Sequence, residues 1–381
     1  MDKKLHETLI GWRRYLHAHP ELTLYEKATS AFVQARLAEM GIQFQAGIGG
    51  HGVVATLSRG SSNRAVGLRA DMDALPITET TGLAHASTNP GVMHVCGHDG
   101  HTTSLLGAVA LLKDDPSWTG TVHFVFQPAE EGGGGAKSMI ADGLFTRFPM
   151  ERIFGYHNWP GLEAGTVMVH DGVSMAAGAR IFITVRGHAG HAAMPHLTRD
   201  PMVAAAHLII ALQSIVARNV DPLESGVVTI GMIQGGSAAN QIPEAIEMRG
   251  TMRALKPAVR DLLDAQIKQI CAGIAQMFGV GVDVEVRHGV SVTVNSPAEA
   301  ELAVAVATAH GMAVRRDLAP TMGGEDFSWF LAERPGAYAW IGNGISAPGK
   351  ELHNPGYDYN DAILPVAATW LAGVAKKALA G

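Results

Sequence analysis

The run Ile181-Phe182-Ile183-Thr184-Val185-Arg186 marks the point where the rhythm of the chain changes. Its β-branched and aromatic residues read as a strand. A helix over 201–218, strands over 227–233 and 247–253, a helix over 258–278 and a strand over 282–287 follow it. That βαββαβ order is the split, ferredoxin-like arrangement, with two helices on one face of a four-stranded antiparallel sheet. Residues 178–292 are therefore expected to form an inserted domain, with hinges near Ala177 and Val292.

Outward from this insertion, strands and helices alternate. Helices are expected over 5–18, stopped by Pro20, and over 26–40, stopped by Gly41, which suits the left-handed position after a helix. Strands are expected over 52–57, 65–70, 121–126, 153–156 and 166–169, with helices over 101–112 and 136–141 between them. After the insertion come helices over 298–310 and 327–332, a strand over 337–341 and a helix over 361–379. This pattern predicts an α/β fold with a doubly wound, mostly parallel sheet, built from 1–177 and 293–381 and interrupted by the small domain.

The composition excludes several function classes. A chain of 381 residues suggests two to three domains. Its formal net charge of −6 provides no basic face for nucleic acid or anionic lipid. The most apolar helical stretch, 203–217, is short of the roughly 20 residues that span a bilayer. The first residues lack the apolar core of a secretory signal, so cytoplasm is the expected compartment. Two Cys make no disulfide scaffold, whereas 18 His in a weakly charged chain call for an explanation.

In an open α/β sheet, functional groups gather beyond the carboxyl ends of the strands. The strand over 65–70 runs into Asp71-Met72-Asp73, that over 121–126 into Gln127-Pro128-Ala129-Glu130-Glu131, and that over 153–156 into His157. The loop Met93-His94-Val95-Cys96-Gly97-His98-Asp99-Gly100-His101 precedes a helix, and His353 follows the strand over 337–341. Thiolate, imidazole and carboxylate together suit a borderline divalent metal such as zinc, manganese or cobalt. Adjacent Glu130 and Glu131 divide naturally into one ligand and one general base. Each feature alone has a plainer explanation, as a packed thiol, a solvated carboxylate pair or a hydrogen-bonded imidazole. Their joint placement at strand ends favours a metal site. His17-Ala18-His19 is expected to be structural: it ends an amphipathic helix instead of following a first strand, unlike the opening pair of a TIM-barrel amidohydrolase.

These motifs, with Arg14 to Leu22, Leu68 to Pro76, Gly187 to His196 and Glu325-Asp326-Phe327, resemble the M20 metallopeptidase family. They resemble most its amidohydrolase branch, the hippurate hydrolases and N-acyl-amino-acid amidohydrolases. The resemblance implies two divalent ions (zinc, manganese, cobalt or nickel) held by Cys96, His98, Glu131, His157 and His353, with Glu130 as the acid/base. It implies that the inserted domain is a lid or dimerisation domain, that His191 helps hold the oxyanion, and that Asn240 and Arg253 contact the substrate carboxylate. A homodimer acting on a small N-acyl-amino acid is the expected form. Peptidase branches begin the site with His-x-Asp, whereas this chain has Asp71-x-Asp73, so Asp71 and Asp73 are expected to orient ligand imidazoles rather than bind metal. Dipeptidase activity, another deacetylase activity, or a silent homologue that only binds acyl-amino acid or metal are the competing functions.

Overall fold

The computed structural model describes residues 1–380 and divides into two compact units. The first comprises Met1–Ser174, Thr293–Ala319 and Asp326–Gly381; the second comprises Met175–Val292 and Pro320–Glu325.

The first unit is built on an eight-stranded sheet. Its centre is four parallel neighbours in the order Gly120–Gln127, Ala65–Asp71, Arg152–Pro160 and Gly336–Gly344. Beyond Gly120–Gln127, Gly52–Arg59 pairs antiparallel, followed by Gln43–Ile48, a strand the sequence pattern did not suggest. On the other side Val167–Val169 pairs antiparallel to Gly336–Gly344 and parallel to Val314–Arg315. The central strands are apolar on both faces, as strands covered by helices must be; Val66, Leu68, Phe124, Phe126, Phe154 and Ile341 are fully buried.

Helix His98–Asp114 is buried along most of its length and packs with Leu364–Ala380 beneath the sheet. It begins three residues earlier than the sequence pattern suggested. Gly97, with φ +88°, turns the chain directly from Cys96 into the helix, so His98 and His101 share one helical face. Two helical stretches, Pro201–Asn219 and Asp361–Ala380, are long and apolar enough to meet the composition of a membrane span, the first against the expectation that 203–217 is too short; the second is mostly buried within the protein core.

The second unit has the antiparallel order Gly226–Gln234, Ala245–Ala254, Ala177–Arg186 and Gly281–His288. Helices Pro201–Asn219 and Pro257–Phe278 pack their apolar sides on this sheet through Leu208, Leu212, Leu263, Ile267 and Cys271. Asp200 caps the first of these helices by accepting the Met202 and Val203 amides, and Pro201 fits its first turn.

Candidate metal centre

Asp71, Asp73, Glu130 and Glu131 stand at or just past the carboxyl ends of parallel strands, where side chains converge, whereas His157 lies within its strand, which continues to Pro160 instead of ending at 156. Cys96 and His98 reach the same place from the turn into helix His98–Asp114. The Cys96 Sγ lies 3.3 Å from His157 Nε2. The ligand atoms of Cys96, His98 and His157 fall within 4.8 Å of one another, as do those of Cys96, Glu131 and His353 and those of His98, Glu130 and Glu131. Cys96, His98 and Glu131 each belong to two of these three groups.

Hydrogen bonds orient the imidazoles. His157 donates Nδ1–H to the Asn158 carbonyl at 2.7 Å, which leaves Nε2 as the atom facing Cys96. His98 Nδ1 faces the Asp73 carbonyl at 2.9 Å and its carboxylate at 3.2 Å. His98 Nε2 is buried without a hydrogen-bond partner, and so is Glu131 Oε1. His353 Nε2 is 3.3 Å from that same Glu131 oxygen. Buried polar atoms normally find partners. Two buried lone-pair atoms without a hydrogen bond, 4.0 Å apart beside a thiol and a second imidazole, make a donor set that a divalent cation fits.

The electrostatics agree. Burial pulls the His98 imidazole down, but Asp71, Asp73 and Glu131 outweigh it and raise its pKa to about 10. Burial pushes the Cys96 thiol well up, and Glu131, Glu130 and Asp71 push it further. Burial, helped by the neighbouring His101, holds His157 neutral well below the usual imidazole range. A thiol among carboxylates becomes a thiolate only against compensating positive charge.

Asp73 bonds the His98 imidazole, whereas Asp71, expected to orient a ligand imidazole, bonds His101, which is not among the expected ligands. Asp73 Oδ2 also accepts the Glu131 amide at 2.9 Å and Thr23 Oγ1 at 2.7 Å. Asp71 Oδ1 meets His101 Nδ1 at 2.6 Å, its Oδ2 accepts from Arg69 at 2.8 Å, and Oδ2 stays 3.6 Å from His98 Nε2. The same Arg69 binds Gln127 and Asp326, tying two strand ends and the segment after 325 together. Glu130, 8% exposed, receives the Asp326 amide at 3.3 Å on Oε1.

His101 sits between Asp71 and Asn158 with its ring 4.7 Å from that of His157. Its spacing of three residues from His98 on a helix was the signal available for it. His17 is buried between Asp99, at 2.8 Å, and Glu79, while His19 is exposed and stacks on Tyr15.

His191, Asn240 and Arg253 belong to the second unit. The Ala193 amide donates to His191 Nδ1 at 3.1 Å, so the neutral ring carries its proton on Nε2 and is exposed as a donor. Asn240, also exposed, anchors the same short ladder through its carbonyl, which accepts the Ala192 amide. Arg253 is half-buried and makes no ion pair among the described residues; burial and the nearby Arg180 lower its pKa.

Residues 67–377 match Peptidase family M20/M25/M40. The chain belongs to this family. M20 relatives include a hippurate hydrolase from Campylobacter jejuni, 41% identical over 96% of this chain and 95% of its own length. An N-acetyl-L-cysteine deacetylase from Bacillus subtilis is 39% identical over 98% of this chain and 89% of its own. Among solved structures, a Bacillus subtilis protein described as a dinuclear metal-binding M20 peptidase superposes with a TM-score of 0.87 at 32% identity, covering 100% of this chain and 99% of that one. This M20 chain is an enzyme of the amidohydrolase branch, and its reaction is metal-dependent amide hydrolysis.

Proposed function

We propose that the protein hydrolyses the amide bond of small N-acyl-amino acids, hippurate-like or N-acetylated, releasing a carboxylic acid and the free amino acid. The observation that carries this reading is the pair of orphaned buried atoms, His98 Nε2 and Glu131 Oε1, beside Cys96, His157 and Glu130. Cys96, His98, Glu131, His157 and His353 would hold two divalent ions, of which zinc, manganese, cobalt and nickel suit the donors. Such ions supply Lewis acidity and lower the pKa of bound water.

The chain's own groups perform the proton transfers. Glu130 takes the proton of the attacking water as the new C–O bond forms, then delivers it to the leaving nitrogen as the C–N bond breaks. Asp73 and Asp71 keep imidazoles oriented through the cycle. His191, with Nε2–H outward, is assigned as oxyanion donor, supported by the Ala193 amide on Nδ1. The unpaired guanidinium of Arg253, with Asn240, is assigned to the amino-acid carboxylate, for which a planar cation gives a two-pronged fit.

The second unit is assigned as a lid and dimerisation domain of a homodimer. Val203 and Ile210, 46% and 70% exposed on helix Pro201–Asn219, support an association surface there. Two unpaired thiols, Cys96 and Cys271, support a cytoplasmic location.

The test is Glu130→Gln in metal-reconstituted protein, assayed with N-benzoylglycine, N-acetyl-amino acids and dipeptides side by side. Bound metal should be retained while turnover of the N-acyl-amino acids falls roughly 10²- to 10⁴-fold. Unchanged hydrolysis would refute the mechanism, and turnover of dipeptides alone would refute the substrate class.

A further inference from the structure

Glu26 is a fully buried carboxylate that the metal centre leaves without a task. It stands at the N-terminal boundary of helix Lys27–Glu39, yet its side chain caps none of that helix's amides. It has no ion-pair partner among the described residues. Instead Oε1 accepts two amides, the nearby Leu24 N–H at 3.0 Å and the distant Ala129 N–H at 2.8 Å, while Oε2 has no partner. Burial raises its carboxyl above the usual range.

Both amides belong to residues in the left-handed region, Leu24 at φ +72° and Ala129 at φ +56°. Among the described residues the only other non-glycine residue with positive φ is His353, at +63°. A side chain makes this backbone unfavourable, so it persists only where surrounding bonds enforce it. Ala129 is the residue immediately before Glu130-Glu131. The turn continues through Gly132, at φ +86°, and closes with the Gly135 amide on the Ala129 carbonyl at 3.0 Å.

On the far side of Glu130, the Glu131 amide is held by Asp73 at 2.9 Å, and Asp73 also takes the hydroxyl of Thr23, the residue before Leu24. Two buried carboxylates thus grip the amides on either side of Glu130, and both are tied to the loop over 23–26.

We propose that Glu26 is the positioning residue for Glu130: by accepting the Ala129 amide it enforces the left-handed turn that aims the Glu130 carboxylate, and by accepting the Leu24 amide it anchors that turn to the neighbouring loop. This rests on the acid/base role given above to Glu130. Glu26 itself touches no reacting atom. Its task requires one acceptor oxygen at the right reach, and no negative charge. Gln supplies that oxygen, Asp falls one methylene short of two amides, and Ala has none.

The experiment compares E26Q, E26D and E26A in the metal-reconstituted full-length chain. Hydrogen exchange over 128–135 reports on the turn whatever the substrate, and kcat, KM and bound metal report on its consequence. E26A and E26D should exchange faster over 128–135 and lose about 100-fold in kcat, the scale of a misplacement of about 1 Å. KM and metal content should stay within about threefold of the parent, because Asp73 still holds Glu131. E26Q should match the parent in exchange and retain kcat within about threefold. The inference is overturned if E26A and E26D keep parental kcat per folded molecule, or if E26Q is as impaired as E26A. Should E26A not fold, E26D and E26Q carry the same contrast. If the parent hydrolyses no N-acyl-amino acid, the proposed function fails, while the exchange contrast still decides the clamp.

Discussion

Replacing Asp73 probes how the two side chains proposed as ligands, His98 and Glu131, are held in register. Asp73 is 1% exposed and uses both oxygens: Oδ1 lies 3.2 Å from His98 Nδ1, and Oδ2 accepts Glu131 N–H and Thr23 Oγ1–H at 2.9 and 2.7 Å. Asn has the same shape but one acceptor. With its oxygen toward Glu131 and Thr23 it keeps two bonds and turns an NH2 against the His98 Nδ1–H. The Asp73 carbonyl, 2.9 Å from Nδ1, still holds that ring. A hydrogen bond to a charged group contributes about 1.5 to 3 kcal/mol. With half of that retained through the carbonyl, D73N should lose about 1.4 kcal/mol of metal affinity, about tenfold. D73A loses both sides and should approach 100-fold, the upper range for partners that orient metal ligands. Competition for zinc between metal-free protein and a chromophoric chelator measures both. T23V is the control: it leaves the bonds to His98 and Glu131 in place and should cost less than about threefold. Parental affinity in D73A, or a T23V loss equal to that of D73A, would refute the reasoning.

Other perturbations follow from the same geometry. In G97A a Cβ would meet Asn158 Oδ1 at 2.3 Å and Tyr357 Oη at 2.6 Å, on a backbone with φ +88°. G91A, at φ +75° in open space, carries the backbone cost alone. Chemical denaturation should therefore give a loss of about 1 to 2 kcal/mol for G91A and about 3 kcal/mol or more for G97A; equal losses would mean that the crowding is absent. His17 is pulled down by burial, but Asp99 and Glu79 outweigh it and raise it to about 9. Its charge therefore stabilises the fold fully below about pH 6.5, and that stability is lost as pH rises through about 9. The stability gap between parent and H17Q, up to about 3 kcal/mol at pH 6, should shrink toward pH 9.5, and a constant gap would show His17 to be neutral. H191A should lower kcat about 10²- to 10³-fold with bound metal unchanged in elemental analysis; parallel metal loss would make His191 a ligand instead.

Much of the fold is legible because periodicity is local. The buried runs 65–70 and 121–126 and the alternation in 181–186 identify strands, and Pro20 and Gly41 end helices. Strand Gln43–Ile48 escaped because it is an edge strand with mostly exposed side chains, so no apolar pattern announces it. The sequence pattern starts the helix only at 101 because Gly97, His98 and Asp99 have no apolar period; a left-handed glycine begins it at His98.

At the site, proximity in the chain made Cys96 with His98 and Glu130 with Glu131 readable as pairs. The sequence also placed Asp71 and Asp73 at strand ends, because strand direction in an α/β sheet decides where loops emerge. Only the tertiary structure decided distances and partners. It puts His157 Nε2 3.3 Å from Cys96 Sγ across 61 residues, and makes His101 the partner of Asp71. It also brings Glu26 to the Ala129 amide across 103 residues. A side chain's residue type is written locally, but the lone pairs it leaves unpaired depend on which remote groups folding brings within hydrogen-bonding range.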